Sequence, residues 1–180
     1  MKNYKLSDET KTTPLGTVLH RIVATTTFTL ACELTVDVGD VGGWIEKESN
    51  LSDDAWVSDD ARVYGNAEVS GDAWVSGNTR VSGNAEVSGN ARVSGNARVS
   101  GNAKVSGNAR VVNVGDYIVF KNSWSSGRYF TWTKSNDKWD VGCFYGTGDE
   151  LIKKAYADSE YSGKHYETYV KLVETLKNME

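Results

Sequence analysis

The 180-residue sequence has one proline, two cysteines, two histidines and no long apolar run, and each scarcity removes a class of protein. Cys32 and Cys143 are too few for a disulfide framework and too far apart for a zinc knuckle, so both are expected as buried apolar residues in a reducing compartment. No stretch approaches the roughly 20 apolar residues of a membrane span, and the opening MKNYKLSDETKTTP lacks a signal-peptide core. A cytoplasmic protein without membrane contact is expected. Excess charge is also missing: 20 basic and 24 acidic residues give a net charge of -4, scattered along the chain. That argues against a strongly basic nucleic-acid binder and equally against an acidic DNA mimic. No metal site, cofactor or specific nucleic-acid partner is expected.

What is abundant is a six-residue phrase. VSGNAEVSGNARVSGNARVSGNAKVSGNAR spans residues 81 to 110, and valine recurs without a miss at 57, 63, 69, 75, 81, 87, 93, 99, 105 and 111. Ile45 and Leu51 extend the phase backwards, and alanine, or Thr79, stands two residues before each valine. Strand side chains alternate faces, so an Ala-x-Val-Ser tetrad turns Ala and Val inward and the variable residue and Ser outward. Gly-Asn, Gly-Asp or Asp-Asp separates the tetrads, which predicts a four-residue strand and a two-residue bend per hexad.

The same Gly-Asn signal would suit a meander of hairpins, and the outward position decides between the two. It reads Trp56, Arg62, Glu68, Trp74, Arg80, Glu86, Arg92, Arg98, Lys104, Arg110. Against itself this series matches once in nine pairs at a lag of six residues, twice in eight at twelve and five times in seven at eighteen. Three hexads therefore make one coil, and the coils stack into a triangular prism with strands about 4.8 Å apart. Duplication of an eighteen-residue unit would give the same statistic. Such a unit makes most sense if three hexads are the structural quantum.

V-S-G-N-A-x resembles the hexapeptide repeat of left-handed parallel β-helices over residues 51 to 111, with a start at 45 left open. The handedness is what that resemblance implies. The lead-in GDVGGWIEKESNLS, the run DAWVSDDARVYGNAEVSGDAWV and the tail GRYFTWTKSNDKWDVGCFYGTGDELIKKAYADSEYSGKHYE further resemble a family of phage and prophage proteins often labelled hexapeptide-repeat or transferase. The expected fold is mainly β: an N-terminal β-rich cap over residues 1–50, the repeat over 51–111, and a C-terminal aromatic α+β cap over 112–180. That last segment holds thirteen of the nineteen Phe, Trp and Tyr residues. DYIVFK, GRYFTWT and KWDVGCFY have strand composition, and Thr147 with Glu150 forms a capping box for a helix. Gly146-Thr147-Gly148 ahead of that helix is weighed as a phosphate cradle and favoured as a structural cap, because Asp149 and Glu150 already occupy the positive end.

Eighteen-residue spacing sorts the outward side chains into three columns: Trp56, Trp74, Arg92 and Arg110; Arg62, Arg80 and Arg98; Glu68, Glu86 and Lys104. The arginine column has three readings. It is a solvated face, or it meets Glu68 and Glu86 of a neighbouring subunit head to tail, closing a homotrimer of the kind the resemblance implies. Alternatively it binds a small phosphate-bearing ligand, a nucleotide, with Trp56 or Trp74 stacking on the base. Two outward tryptophans also predict a cover, either another subunit or the aromatic tail.

Acyltransferases share this helix, and the family label invites that activity. They use a histidine base near the coils and a looped-out segment; residues 51–111 contain neither. His20 and His165 lie outside the repeat, and no serine or cysteine sits in a nucleophile motif. The expectation is a non-enzymatic phage protein that sequesters a nucleotide signal of host defence in the infected cell. A competing expectation is a structural or protein-binding module whose columns serve only assembly and whose aromatic cap holds a host protein.

Overall fold

The computed structural model describes residues 2–179. An antiparallel hairpin of β1 (Tyr4–Thr12) and β2 (Val18–Ala24) is followed by a minimal hairpin of β3 (Phe28–Thr29) and β4 (Thr35–Val36), then by β5 (Val41–Ile45). Ten two-residue strands come next, β6 to β15: Trp56–Val57, Arg62–Val63, Glu68–Val69, Trp74–Val75, Arg80–Val81, Glu86–Val87, Arg92–Val93, Arg98–Val99, Lys104–Val105 and Arg110–Val111. Strands β16 (Tyr117–Lys121), β17 (Tyr129–Thr133), β18 (Lys138–Val141) and β19 (Phe144–Gly146) and helices α1 (Gly148–Asp158) and α2 (Glu160–Lys177) complete the chain. The protein is mainly β, a solenoid of about four turns with parallel sheets and two helices near the C-terminus.

Each short strand pairs in parallel with the strand eighteen residues away. Arg80 stands opposite Arg62 on one side and Arg98 on the other; Glu86 lies between Glu68 and Lys104, and Trp74 between Trp56 and Arg92. The three sheets enclose a column of Val and Ala side chains with no solvent exposure, including Val63, Val81 and Val99 on one side and Ala61, Ala73, Ala85 and Ala97 at the cramped positions. Thr79 replaces one of these alanines at no cost in unpaired polarity, because its hydroxyl donates to the Ser76 carbonyl at 2.6 Å.

Two features set the coil geometry. At the bends glycine takes a positive φ, +69° at Gly77, and a Cβ there would lie 2.8 Å from the Gly95 carbonyl oxygen of the next coil. At such a corner only glycine avoids that clash. In the first coil Asp53 and Asp59 hold corner positions at positive φ instead, and three of its carboxylates accept an N–H from the second: Glu46 from Gly65 at 2.6 Å, Asp53 from Gly71 at 3.0 Å and Asp59 from Gly77 at 2.8 Å.

Strand β5 joins hairpin to coil, antiparallel to β2 and parallel to β7, so one sheet runs β1-β2-β5-β7-β10-β13. Parallel pairing thus begins at Trp44 and Ile45, inside the segment read from sequence as the N-terminal cap. Gly42 and Gly43 make the junction possible, since a Cβ on either would come within 2.6 Å of a neighbouring side chain. The open coil ends are closed by side chains. At the first coil the Tyr4 hydroxyl donates to the carbonyls of Glu48 (2.9 Å) and Leu51 (3.0 Å). At the last, Thr131 Oγ1 accepts from Lys104 N–H at 2.8 Å, Ser135 Oγ from Arg110 N–H at 2.7 Å, and the Tyr117 hydroxyl donates to the Arg98 carbonyl at 2.7 Å.

The C-terminal strands form an antiparallel meander in the order β16-β17-β18-β19, and α1 and α2 pack on it around a second core of Phe130, Trp132, Trp139, Leu151, Tyr166 and Val170. Thr147 caps α1 in a reciprocal box: its hydroxyl accepts from Glu150 N–H at 3.3 Å, and Glu150 Oε2 accepts from Thr147 N–H at 2.8 Å. Gly148 is there for packing, with Val170 Cγ1 2.6 Å from where its Cβ would be. The cysteines differ from the sequence expectation: Cys143 is exposed in the β18–β19 turn, and Cys32 is half-buried beside the coil core. Cys143 follows Gly142 at φ +62°, in a turn too tight to tuck its neighbour inward.

Removing two methyl groups from the prism with Val93→Ala is expected to cost about 2 kcal/mol, and forcing extra volume into the corner with Ala91→Val about 1–3 kcal/mol. Urea titration followed by circular dichroism checks both, with Ser94→Ala, on the outer surface, expected within about 0.5 kcal/mol of the parent.

Candidate functional site

The arginine column is longer than the repeat alone suggests. Register places Arg21 of β2 opposite Trp44 of β5, and Trp44 opposite Arg62, so one sheet face carries Arg21, Trp44, Arg62, Arg80 and Arg98 in line. At the top Arg21 stacks on the Trp44 ring at 4.7 Å while Lys11 approaches the same ring at 5.2 Å. Arg21 Nη1 donates to the Asp59 carbonyl at 3.0 Å. Asp60 accepts from Trp44 Nε1 and Lys11 Nζ, both at 3.4 Å, and these bonds, with the nearby Lys11 and Arg62 charges, hold its carboxyl below the ordinary range.

Below Arg62, whose charge lies near Asp60, no carboxylate pairs with the column among the described residues. Arg62 and Arg80 are half-buried and Arg98 is exposed, and among the described residues the guanidinium groups of Arg80 and Arg98 make no hydrogen bond or ion pair. Neighbours held at strand spacing of about 4.8 Å repel by roughly 0.9 kcal/mol per pair in bulk water, before screening by salt. The fold imposes that cost, because the buried valines beside these residues lock the register.

The tryptophan column differs from the sequence expectation. Trp56 does occupy an outward position but is only 4% exposed, covered by Phe28 of β3, whose ring meets it edge-on at 5.8 Å. The cover is the small β3–β4 hairpin of the same chain; neither a second subunit nor the aromatic tail is needed. Trp56 is therefore unavailable for stacking on a ligand. Trp74 is half-buried with Nε1 donating to Ser58 Oγ at 3.0 Å, and Arg92 and Arg110 continue its column towards the C-terminal cap.

The glutamate column is partly neutralised within the chain. Lys104 pairs with Glu86 at 2.7 Å, an interaction that raises the lysine's pKa, and only Glu68 is left exposed without a partner among the described residues. The cap brings up residues that the hexads gave no means of finding. Asp140 accepts from Ser106 Oγ at 2.6 Å, and a cleft of about 270 Å³ lies between Glu86, Lys104, Asn102, Arg128 and Tyr129. Burial pushes the Asp140 carboxyl above the ordinary 3.8, against the opposing pull of Ser106 and Lys104.

His20 lies in β2 opposite Ile45, and His165 Nδ1 is 2.7 Å from the Tyr161 carbonyl on α2. Neither hydrogen-bonds a serine, threonine or cysteine among the described residues, and no cluster of three or more potential metal ligands occurs there. No helix among them is long and apolar enough to cross a membrane.

Fold and columns together define a repeat β-solenoid protein. A family described as the YdcK beta solenoid repeat matches residues 61–77, 85–101 and 91–105, so the similarity covers the central coils. No curated protein matches the chain.

The raised Asp140 carboxyl is expected to give the solenoid–cap junction a pH dependence. A carboxyl whose folded pKa is raised contributes most below its unfolded value of 3.8 and loses that contribution as pH rises through the folded value. Asp140→Asn removes the dependence. Its thermal midpoint should gain on the parent as pH is taken from about 4 to about 7, and parallel curves would contradict the assignment.

Proposed function

We propose that the chain is a non-enzymatic binding protein, a homotrimer of left-handed coils that holds a small anionic ligand, a nucleotide, against the arginine column at the seams between subunits. The observation that carries this reading is the imbalance between columns. Arg62, Arg80 and Arg98 stack in register, and of these only Arg62 has a carboxylate, Asp60, nearby, whereas Glu86 is already paired with Lys104 and leaves Glu68 as the free acid of its column. Phosphate oxygens match guanidinium forks and would relieve the repulsion along the column. Trp74, and not Trp56, is the aromatic side chain left with surface for a base, with Arg92 and Arg110 beside it. The resemblance of lead-in, coil and tail to phage and prophage proteins favours a ligand met in an infected bacterial cytoplasm, where capturing a nucleotide signal would blunt host defence.

Exposed Glu68 supports a second reading, in which an arginine column meets a neighbour's glutamate column and the faces serve assembly alone. The two readings separate on one substitution. Arg80→Glu is expected to leave the trimer mass unchanged in light scattering while abolishing the thermal shift produced by a panel of nucleotides. Monomers, with no nucleotide shifting the parent protein, would make the columns assembly devices and overturn the ligand reading.

A further inference from the structure

The C-terminal cap contains a second concave site, set apart from the arginine face of the coil. A cleft of about 320 Å³ opens between the β18–β19 turn and helix α1. Its floor is apolar, formed by Val141, Leu151, Ala155 and Tyr166, side chains the second core keeps almost fully buried. Phe144 forms one wall, half-buried, with the Lys154 ammonium 5.7 Å from the centre of its ring. Arg128 closes the opposite side and also borders the cleft beneath the glutamate column, so one guanidinium lies between the two hollows. Neither Arg128 nor Lys154 forms a side-chain hydrogen bond or ion pair among the described residues. Asp158 is the single carboxylate on the rim, and the exposed Cys143 thiol lies at the mouth.

The volume lies at the lower end of the range for small-molecule sites, roughly 300–1,000 Å³. An apolar floor beneath two unpaired cations selects for a flat apolar body ending in negative charge. A cationic ligand would meet Arg128 and Lys154 head on, and a fully polar one would lose hydration over the floor without return. We infer that this cleft is a binding site for a small organic anion with an aromatic or branched apolar body, its charged group held by Arg128 and Lys154. The site is independent of the arginine column.

Naphthoate serves as the probe on the full chain, with naphthylmethylamine as the cation of matching shape. Naphthoate is expected to saturate the parent protein in the micromolar to millimolar range and to slow iodoacetamide alkylation of Cys143, followed by peptide-resolved mass spectrometry. The cation should do neither. Arg128→Gln combined with Lys154→Gln, both exposed and so compatible with folding, should weaken naphthoate by about ten-fold or more and remove the protection. Asp158→Asn should tighten binding by removing the one repelling carboxylate, and Arg80→Gln should leave it unchanged. Absence of saturation up to millimolar probe, equal protection by the cation, or loss of binding with Arg80→Gln and not with the double variant would each overturn the site.

Discussion

Everything in this molecule follows from the requirement that residues eighteen apart lie over one another. A valine of one coil can be fully buried only if the valine of the next stands on it, and the backbone bonds between coils enforce the same alignment. Side chains facing outward have no say in the matter. Their columns are consequences of packing on the other face of each two-residue strand, which is why three arginines can be held in line although their charges oppose it. A protein built this way holds charged residues at a fixed backbone spacing, the backbone order being met by the core while the arginine side chains keep their own rotamer freedom.

Regularity also creates the fold's weak points, its ends. A terminal coil presents backbone groups that the next coil would have bonded, an invitation to other chains. Here the two ends are closed by different means. The N-terminal hairpin extends one sheet through β5, and Tyr4 reaches the carbonyls of the first coil. The C-terminal meander crosses the last coil and meets it with hydroxyls from Thr131, Ser135 and Tyr117. Repeat proteins share this dependence on atypical terminal units, because stability is a sum of neighbour interactions that must stop somewhere.

The repeat made the coil legible from sequence. Valine spacing marked the inward face, parity marked the outward one, and the eighteen-residue recurrence of Trp, Arg and Glu marked which side chains would align. The capping box at Thr147 and Glu150 was readable for a similar reason, being a local pattern with a local cause. The features without a sequence signal are contacts between segments far apart in the chain. Nothing in TTTFTLACELTV announces that Phe28 will lie on Trp56, and nothing near Arg21 indicates that β2 will continue the arginine column. Cys143 was expected inside from the habits of cysteine in general; the tight turn at Gly142 decided otherwise. The cap cleft, formed by a sheet turn against a helix, has no periodic signature at all.

The junction at β5 has an evolutionary corollary. Because antiparallel and parallel pairing meet there, and the opposite end is closed by side chains from a separate meander, the coil between them behaves as an insert of adjustable length. Adding or deleting eighteen residues would change each column by one member and leave both closures seated as before. Any other increment would rotate one closure against the other and misalign all three faces. Variation in the reach of the charged face is thereby restricted to whole-coil steps, a built-in quantisation that ties the length of that face to the duplication unit of its gene.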